Sequence, residues 1–105
     1  MDKIPVNTNR LIKQYIDALE KSEVHINRAV LFGSHATGSP HSWSDIDIAL
    51  VSDAFEGIRM RDRNKIRKIT ITISSMLSPL PFRPEDFTPD DPFVREILET
   101  GIDIV

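Results

Sequence analysis

The stretch 31-LFGSHATGSPHSWSDIDIALVSD-53 begins and ends as buried strand, and its polar middle decides the reading of the whole chain. Ala29-Val30-Leu31-Phe32 is a short continuous apolar run that stops at Gly33, which suits a strand covered on both faces. Residues 33–44 are rich in Gly, Ser, Thr, His and Pro and read as a loop, with room for a short helical turn at its start. Asp45 to Val51 alternates at first and then becomes wholly apolar, a second strand. Two carboxylates, Asp45 and Asp47, therefore stand at the head of a strand that the core needs.

On a strand, residues i and i+2 point to the same face, ~6.6 Å apart along the chain. Ile46, Ile48 and Leu50 take the opposite face, while beyond Asp47 the acidic face continues as Ala49 and Val51. The carboxylates thus mark the point where one face changes from polar to buried. Two like charges this close repel, and burial makes the repulsion worse. A divalent cation removes that penalty. Mg²⁺ prefers oxygen ligands and is usually held by one or two protein carboxylates together with phosphate and water. Taken alone, Asp-x-Asp more often marks a solvated strand edge.

Gly33-Ser34 follows the first strand directly. Glycine permits a sharp exit and leaves room for a phosphate to approach the backbone. The Ser34 hydroxyl and the N–H groups of a following helical turn suit an anion. Alone, Gly-Ser after a strand is an ordinary turn. Together, Gly33-Ser34, ten further residues and Asp45-Ile46-Asp47 fix four identities, which a chain of this length matches by chance about once in a thousand.

Outward from this centre, Leu11, Ile12, Tyr15, Ile16 and Leu19 recur at helical spacing and predict an amphipathic helix over roughly 8–21, with Asn7, Thr8 and Asn9 as N-cap candidates. Residues 57–76 read two ways. Ile66, Ile69, Ile73 and Met76 fit a helix stripe, whereas Ile69, Ile71 and Ile73 alternate like a strand; length and the unbroken lead-in from Arg59 favour the helix. Leu77 to Phe82 reads as a third strand, which Pro79 and Pro81 confine to an edge or an irregular position. Pro84 to Pro92 is an acidic loop, Phe93 to Thr100 a short helix ended by Gly101 at C′, and Ile102 to Val105 a last short strand.

Composition sets the outer bounds. The 105 residues, with 40% hydrophobic and 28% charged content, fit a single globular domain over 1–105. No segment approaches the ~20 apolar residues that span a bilayer, the N-terminus has no apolar signal region, and cysteine is absent. A reducing cytoplasm is the expected compartment. The net charge of −3 conceals a basic run, RMRDRNKIRK at 59–68, which holds six of the 13 lysines and arginines. This run reads as a solvated helix face, or as a surface for phosphates or an acidic partner. The overall acidity excludes a dedicated sequence-specific DNA-binding domain.

The quoted stretch resembles the hG[GS]-x-D-x-D signature of the nucleotidyltransferase superfamily related to DNA polymerase beta, and in size it is similar to the minimal nucleotidyltransferase (MNT) proteins. The tail PFRPEDFTPDDPFVREILETGIDIV also looks like the end of such domains. The resemblance implies an α/β (α+β) nucleotidyltransferase fold, with a mixed, twisted sheet of three to five strands and helices mainly on one face. It implies that Gly33 and Ser34 hold the β- and γ-phosphates of a nucleoside triphosphate, and that Asp45 and Asp47 are the catalytic ligands of one or two Mg²⁺ ions. The implied reaction is AMP transfer from ATP to an acceptor hydroxyl. MNT proteins resemble antitoxins of two-component modules, so the implied acceptor is an α-helical HEPN-type toxin.

One departure stands out. Active members usually carry a third carboxylate on the strand after the long helix, and here that strand, SSMLSPLPF at 74–82, has none; Ser74 and Ser78 stand where it is expected. Glu85 and Asp86 lie just beyond and read as solvated loop residues. The alternative function is therefore a catalytically impaired nucleotide-, metal- or partner-binding module. Of the other polar residues, His35 and His41 read as exposed loop residues, His25 as structural, Trp43 as a cover for one sheet end, and Ser44 as a cap. A core this limited leaves room for an oligomer or a heterocomplex.

Overall fold

Helix α1, Val6–Lys21, buries Ile12, Tyr15 and Leu19 completely, and these are the i, i+3 and i+7 positions of its apolar face. The structure is a computed structural model that describes residues 6–33, 36 and 45–105. Asn7, Thr8 and Asn9 do not cap α1 as the sequence suggests. They lie inside its first turns, because the helix already includes Val6. After α1 the chain turns at Glu23, a non-glycine residue in the left-handed region (φ 66). Glu20 fixes this turn. Its carboxylate accepts the Ile26 N–H at 2.8 Å and lies 3.1 Å from His25 Nδ1, the structural setting expected for His25.

Strands β1 (Arg28–Phe32) and β2 (Ile46–Val51) pair antiparallel, with Phe32 opposite Asp47. Helix α2, Arg59–Ile73, then carries the chain back so that β3, Leu77–Phe82, joins β2 in parallel. The ambiguous isoleucines are resolved as helix: Ile66 is fully buried, Ile69 and Ile73 are half-buried, and Ile71 is exposed. A 3₁₀ turn at Pro84–Asp86 leads to α3, Pro92–Thr100, which the Asp91 carboxylate caps by accepting the Phe93 N–H at 2.9 Å. Gly101 ends α3 with extended backbone (φ −81, ψ 169), not the left-handed turn usual for glycine at C′, because the chain runs straight on into β4. β4, Ile102–Asp103, pairs antiparallel with β1.

The sheet order is β3-β2-β1-β4, a mixed sheet of four strands as expected. α1 and α2 pack on the face of Leu31, Ile46, Ile48 and Leu50. The opposite face, with Val30, Ala49, Val51 and Phe82, is covered by Phe87 and by Val94 and Ile97 of α3. Each fully buried aliphatic side chain contributes roughly 1.5–3 kcal/mol, so these two layers supply most of the favourable folding energy. A polar staple crosses the first layer. The Tyr15 hydroxyl lies 2.6 Å from Thr70 Oγ1, which also bonds the Ile66 carbonyl, and burial pushes the Tyr15 pKa up to about 12.

The prolines confirm that β3 is an edge. Ile46 N–H donates to the Met76 carbonyl and Ser52 N–H to that of Phe82, which sets the phase of the parallel ladder. Residues 78, 80 and 82 then turn their N–H groups toward β2. Positions 79 and 81 face outward, where proline has no bond to lose.

Candidate active site

The central strand β2 presents Asp47 on the α3-covered face, half-buried, at the end where that cover runs out. Asp45 lies two residues earlier, just outside the strand, and is exposed. The register places Asp47 between Phe32 of β1 and Ser78 of β3. Strand alternation carried one residue past Ile46 would put the two carboxylates on one side of the chain at ~6.6 Å spacing.

Gly33 closes the site from the neighbouring strand. It leaves β1 with φ +75, a left-handed conformation that side-chain-bearing residues rarely adopt. A Cβ built there would run into the Asp47 carboxylate, with Asp47 Cγ only 3.3 Å away. Glycine is thus required twice, by the turn and by the carboxylate packed against the backbone. Its carbonyl accepts the N–H of Ala36, a buried residue that ties the start of the loop to the core. Ser34, the other phosphate-binding candidate, lies outside the described residues, as do His35, His41, Trp43 and Ser44.

The donor chemistry fits a hard divalent cation: carboxylate oxygens from one strand, with no thiolate in the chain. Among the described residues no group of three or more His, Cys, Asp and Glu stands together as a metal cage. Ser78 is the direct register partner of Asp47, and Leu80 and Phe82 follow it on the same face of β3. That face carries no acid. Ser74 lies off the strand, at the C-cap of α2.

Glu85 and Asp86 do not fill the gap. They follow the far end of β3, four residues and ~13 Å of strand beyond Ser78. There Asp86 grips Arg83 with two bonds of 2.7 and 3.0 Å, and Glu85 lies 3.6 Å from the same guanidinium. The hydrogen bond from Arg83 holds the Asp86 carboxyl below its ordinary pKa. Most of the basic run is also separated from Asp47, because α2 packs on the Ile48 face; Arg59 instead lies over the Phe82 ring, 5.9 Å from its centroid, at the far end of β3.

Two features escaped the sequence reading. Phe93 of α3 meets Phe32 edge-on, with centroids 6.1 Å apart, and remains 44% exposed; this aromatic pair borders Asp47 on its own face. Nothing in the spacing of PFVREILET distinguishes Phe93 from a surface residue. The second is Asp62, fully buried, whose carboxylate accepts the Glu56 and Gly57 N–H groups at 2.7 and 2.9 Å. Its position as the one acid inside RMRDRNKIRK was the available signal.

No curated protein matches the chain significantly. Among solved structures, a protein from Sulfolobus solfataricus provisionally assigned as a nucleotidyltransferase superposes with a TM-score of 0.64 at 18% identity, over 93% of this chain and 79% of the other. At that identity the likeness speaks for the fold. The family model of the nucleotidyltransferase domain matches residues 10–104, which takes in most of α1, both halves of the Gly-Ser and Asp-x-Asp signature, and the closing strand β4. By that match the chain belongs to the nucleotidyltransferase domain family.

Proposed function

We propose that the chain transfers a nucleoside monophosphate, AMP from ATP, to an acceptor hydroxyl with Mg²⁺ held by Asp45 and Asp47. The observation that carries this reading is the packing of Gly33 backbone against the Asp47 carboxylate. It joins a backbone open to phosphate with a ligand for the cation that accompanies a triphosphate. Domains of this family generally use divalent metal ions, and the two carboxylates supply the oxygen donors that Mg²⁺ prefers.

In this reading Gly33 and Ser34 seat the β- and γ-phosphates, and the side-chain-free backbone sets how closely they approach. Asp45 and Asp47 fix the triphosphate relative to the sheet through the shared ion. The acceptor oxygen attacks the α-phosphorus in line and pyrophosphate leaves. The ion that Asp45 and Asp47 would hold would supply neutralisation of the charge that develops on the phosphates. The protein's own part is placement and electrostatics. We assign the acceptor to an α-helical HEPN-type toxin, with this chain as its antitoxin in the cytoplasm, on the resemblance of its signature and size to MNT proteins.

The bare face of β3 favours a second reading, a nucleotide- and metal-binding module with impaired turnover. Incubation with α-labelled ATP, Mg²⁺ and the protein encoded by the adjacent gene separates the two. Label on the partner, absent with Asp47→Asn, supports the enzyme. Intact nucleotide binding with no label, and label gained on Ser78→Asp or Leu80→Asp, supports the module.

A further inference from the structure

The basic run has a use that the nucleotide site leaves unexplained. Between α2 and the outer edge of β3 runs an open groove of about 610 Å³. Its apolar lining comes from Met60, Ile71, Leu77 and Pro79, and its rim carries Arg63 and Arg67. Met60 and Ile71 are 75% and 59% exposed, a large apolar outlay for a surface helix.

The charges on α2 divide sharply. On the side away from the groove, Arg61 pairs with Glu56 at 3.4 Å and Lys65 donates to the Ala54 carbonyl at 2.6 Å. On the groove side, Arg63 and Arg67 make no ion pair or side-chain hydrogen bond among the described residues. They are one helical turn apart, ~6 Å along the axis. Carboxylates at i and i+4 of a facing helix repeat at the same distance.

We infer that this groove docks an acidic amphipathic helix of a partner protein, with apolar side chains on Met60, Ile71, Leu77 and Pro79 and carboxylates on Arg63 and Arg67. A partner strand is disfavoured, because Pro79 and Pro81 remove the outward N–H donors that strand addition needs. Single-stranded nucleic acid is disfavoured too: the groove has no aromatic platform for bases, and the chain is acidic overall. A second copy's α3 is disfavoured, because its Val94 and Ile97 are already buried against its own sheet. The surface lies on the face of the sheet opposite Asp47, so it leaves the nucleotide site open while a partner is held.

The test is a selection with the full chain. A displayed library of 14-residue helices, with leucine fixed at i, i+4 and i+7 and flanking positions randomised, is panned on the wild type. The expected winners are rich in Asp and Glu, and their synthetic peptides bind the Arg63→Glu/Arg67→Glu double variant at least tenfold more weakly. Ile71→Asp gives a similar loss, and Lys13→Glu on α1 gives none. Circular dichroism checks that each variant remains folded. The inference is overturned by winners that are neutral or basic, by equal binding to the double variant, or by a selection with no binder. It also falls if a 12-nucleotide oligouridine binds the groove more tightly than the winners, or if the double variant converts a sedimenting dimer to monomer. Repeating the titration with Asp47→Asn keeps the two sites apart: docking is expected to be unchanged there.

Discussion

Among the described residues two glycines take left-handed backbone, Gly33 at φ +75 and Gly57 at φ +91, and each is pressed against a charged side chain. At Gly57 the neighbour is Arg83, and a Cβ there would lie 3.0 Å from its Cδ and closer still to the guanidinium. Around it acid and base balance. Asp86 binds Arg83 bidentately, and the buried Asp62 takes the Glu56 and Gly57 N–H groups. At Gly33 the neighbour is Asp47, and a second carboxylate, Asp45, stands two residues before it in the chain. The same backbone device thus packs against an acid–base network at one end of the sheet and, at the other, against the carboxylate proposed to hold a cation. A positive-φ glycine is not itself a mark of function; the sign of the charges gathered around it tells the two ends apart.

The sharpest way to break this contrast is to neutralise the acid at the Gly33 end. Asp47→Asn is expected to lower turnover about 10³-fold, the scale of a lost electrostatic contact in the transition state, while the melting temperature without ligand changes little. At the other end Asp62→Ala should do the reverse. Loss of two hydrogen bonds to a buried carboxylate costs about 3 kcal/mol, visible as a lower urea midpoint, with Mg-ATP affinity of the folded protein unchanged. The paired glycines come next. Gly33→Ala should weaken Mg-ATP binding at least tenfold by displacing Asp47. Gly57→Ala should cost about 1–2 kcal/mol in stability through its strained φ alone, with binding retained.

The smallest effect concerns pH. The Arg83 hydrogen bond lowers the folded pKa of Asp86, so the pair contributes stability above the ordinary carboxylate value of 3.8 and loses it as pH falls through the folded value. Asp86→Asn should therefore melt slightly lower than wild type at pH 7, with the two curves converging in strong acid. A gap that widens below pH 3.8 would contradict the assignment.

Much of this was legible in local pattern. The apolar runs at 29–32 and 48–51 marked the central strands because both are covered on two faces, and the prolines at 79 and 81 announced an edge or an irregular strand. The Gly33 and Asp47 pairing was readable because it depends on identities that few other settings require together. Long-range fit was not readable. Ser78 stands opposite Asp47 only through the parallel register, and the α2–β3 groove exists only once Ile71 and Pro79 are brought together. Gly101 ends α3 as the sequence indicates, while its extended backbone, set by the run into β4, depended on long-range fit. Asn7 and Thr8 misled because cap-forming residues are also tolerated in a first turn, where backbone N–H groups lack helical acceptors anyway.

The central claim is that Asp45 and Asp47 hold a cation which brings a triphosphate to Gly33. Thermal unfolding with and without Mg-ATP tests it most directly, comparing the wild type with Asp45→Asn and Asp47→Asn. At a ligand concentration about a hundred times the Kd, the wild type should gain roughly 2.7 kcal/mol, a shift on the order of 10 °C, and both variants should lose most of it. A wild type that Mg-ATP leaves unmoved, or variants that shift as far as the wild type does, would contradict the account.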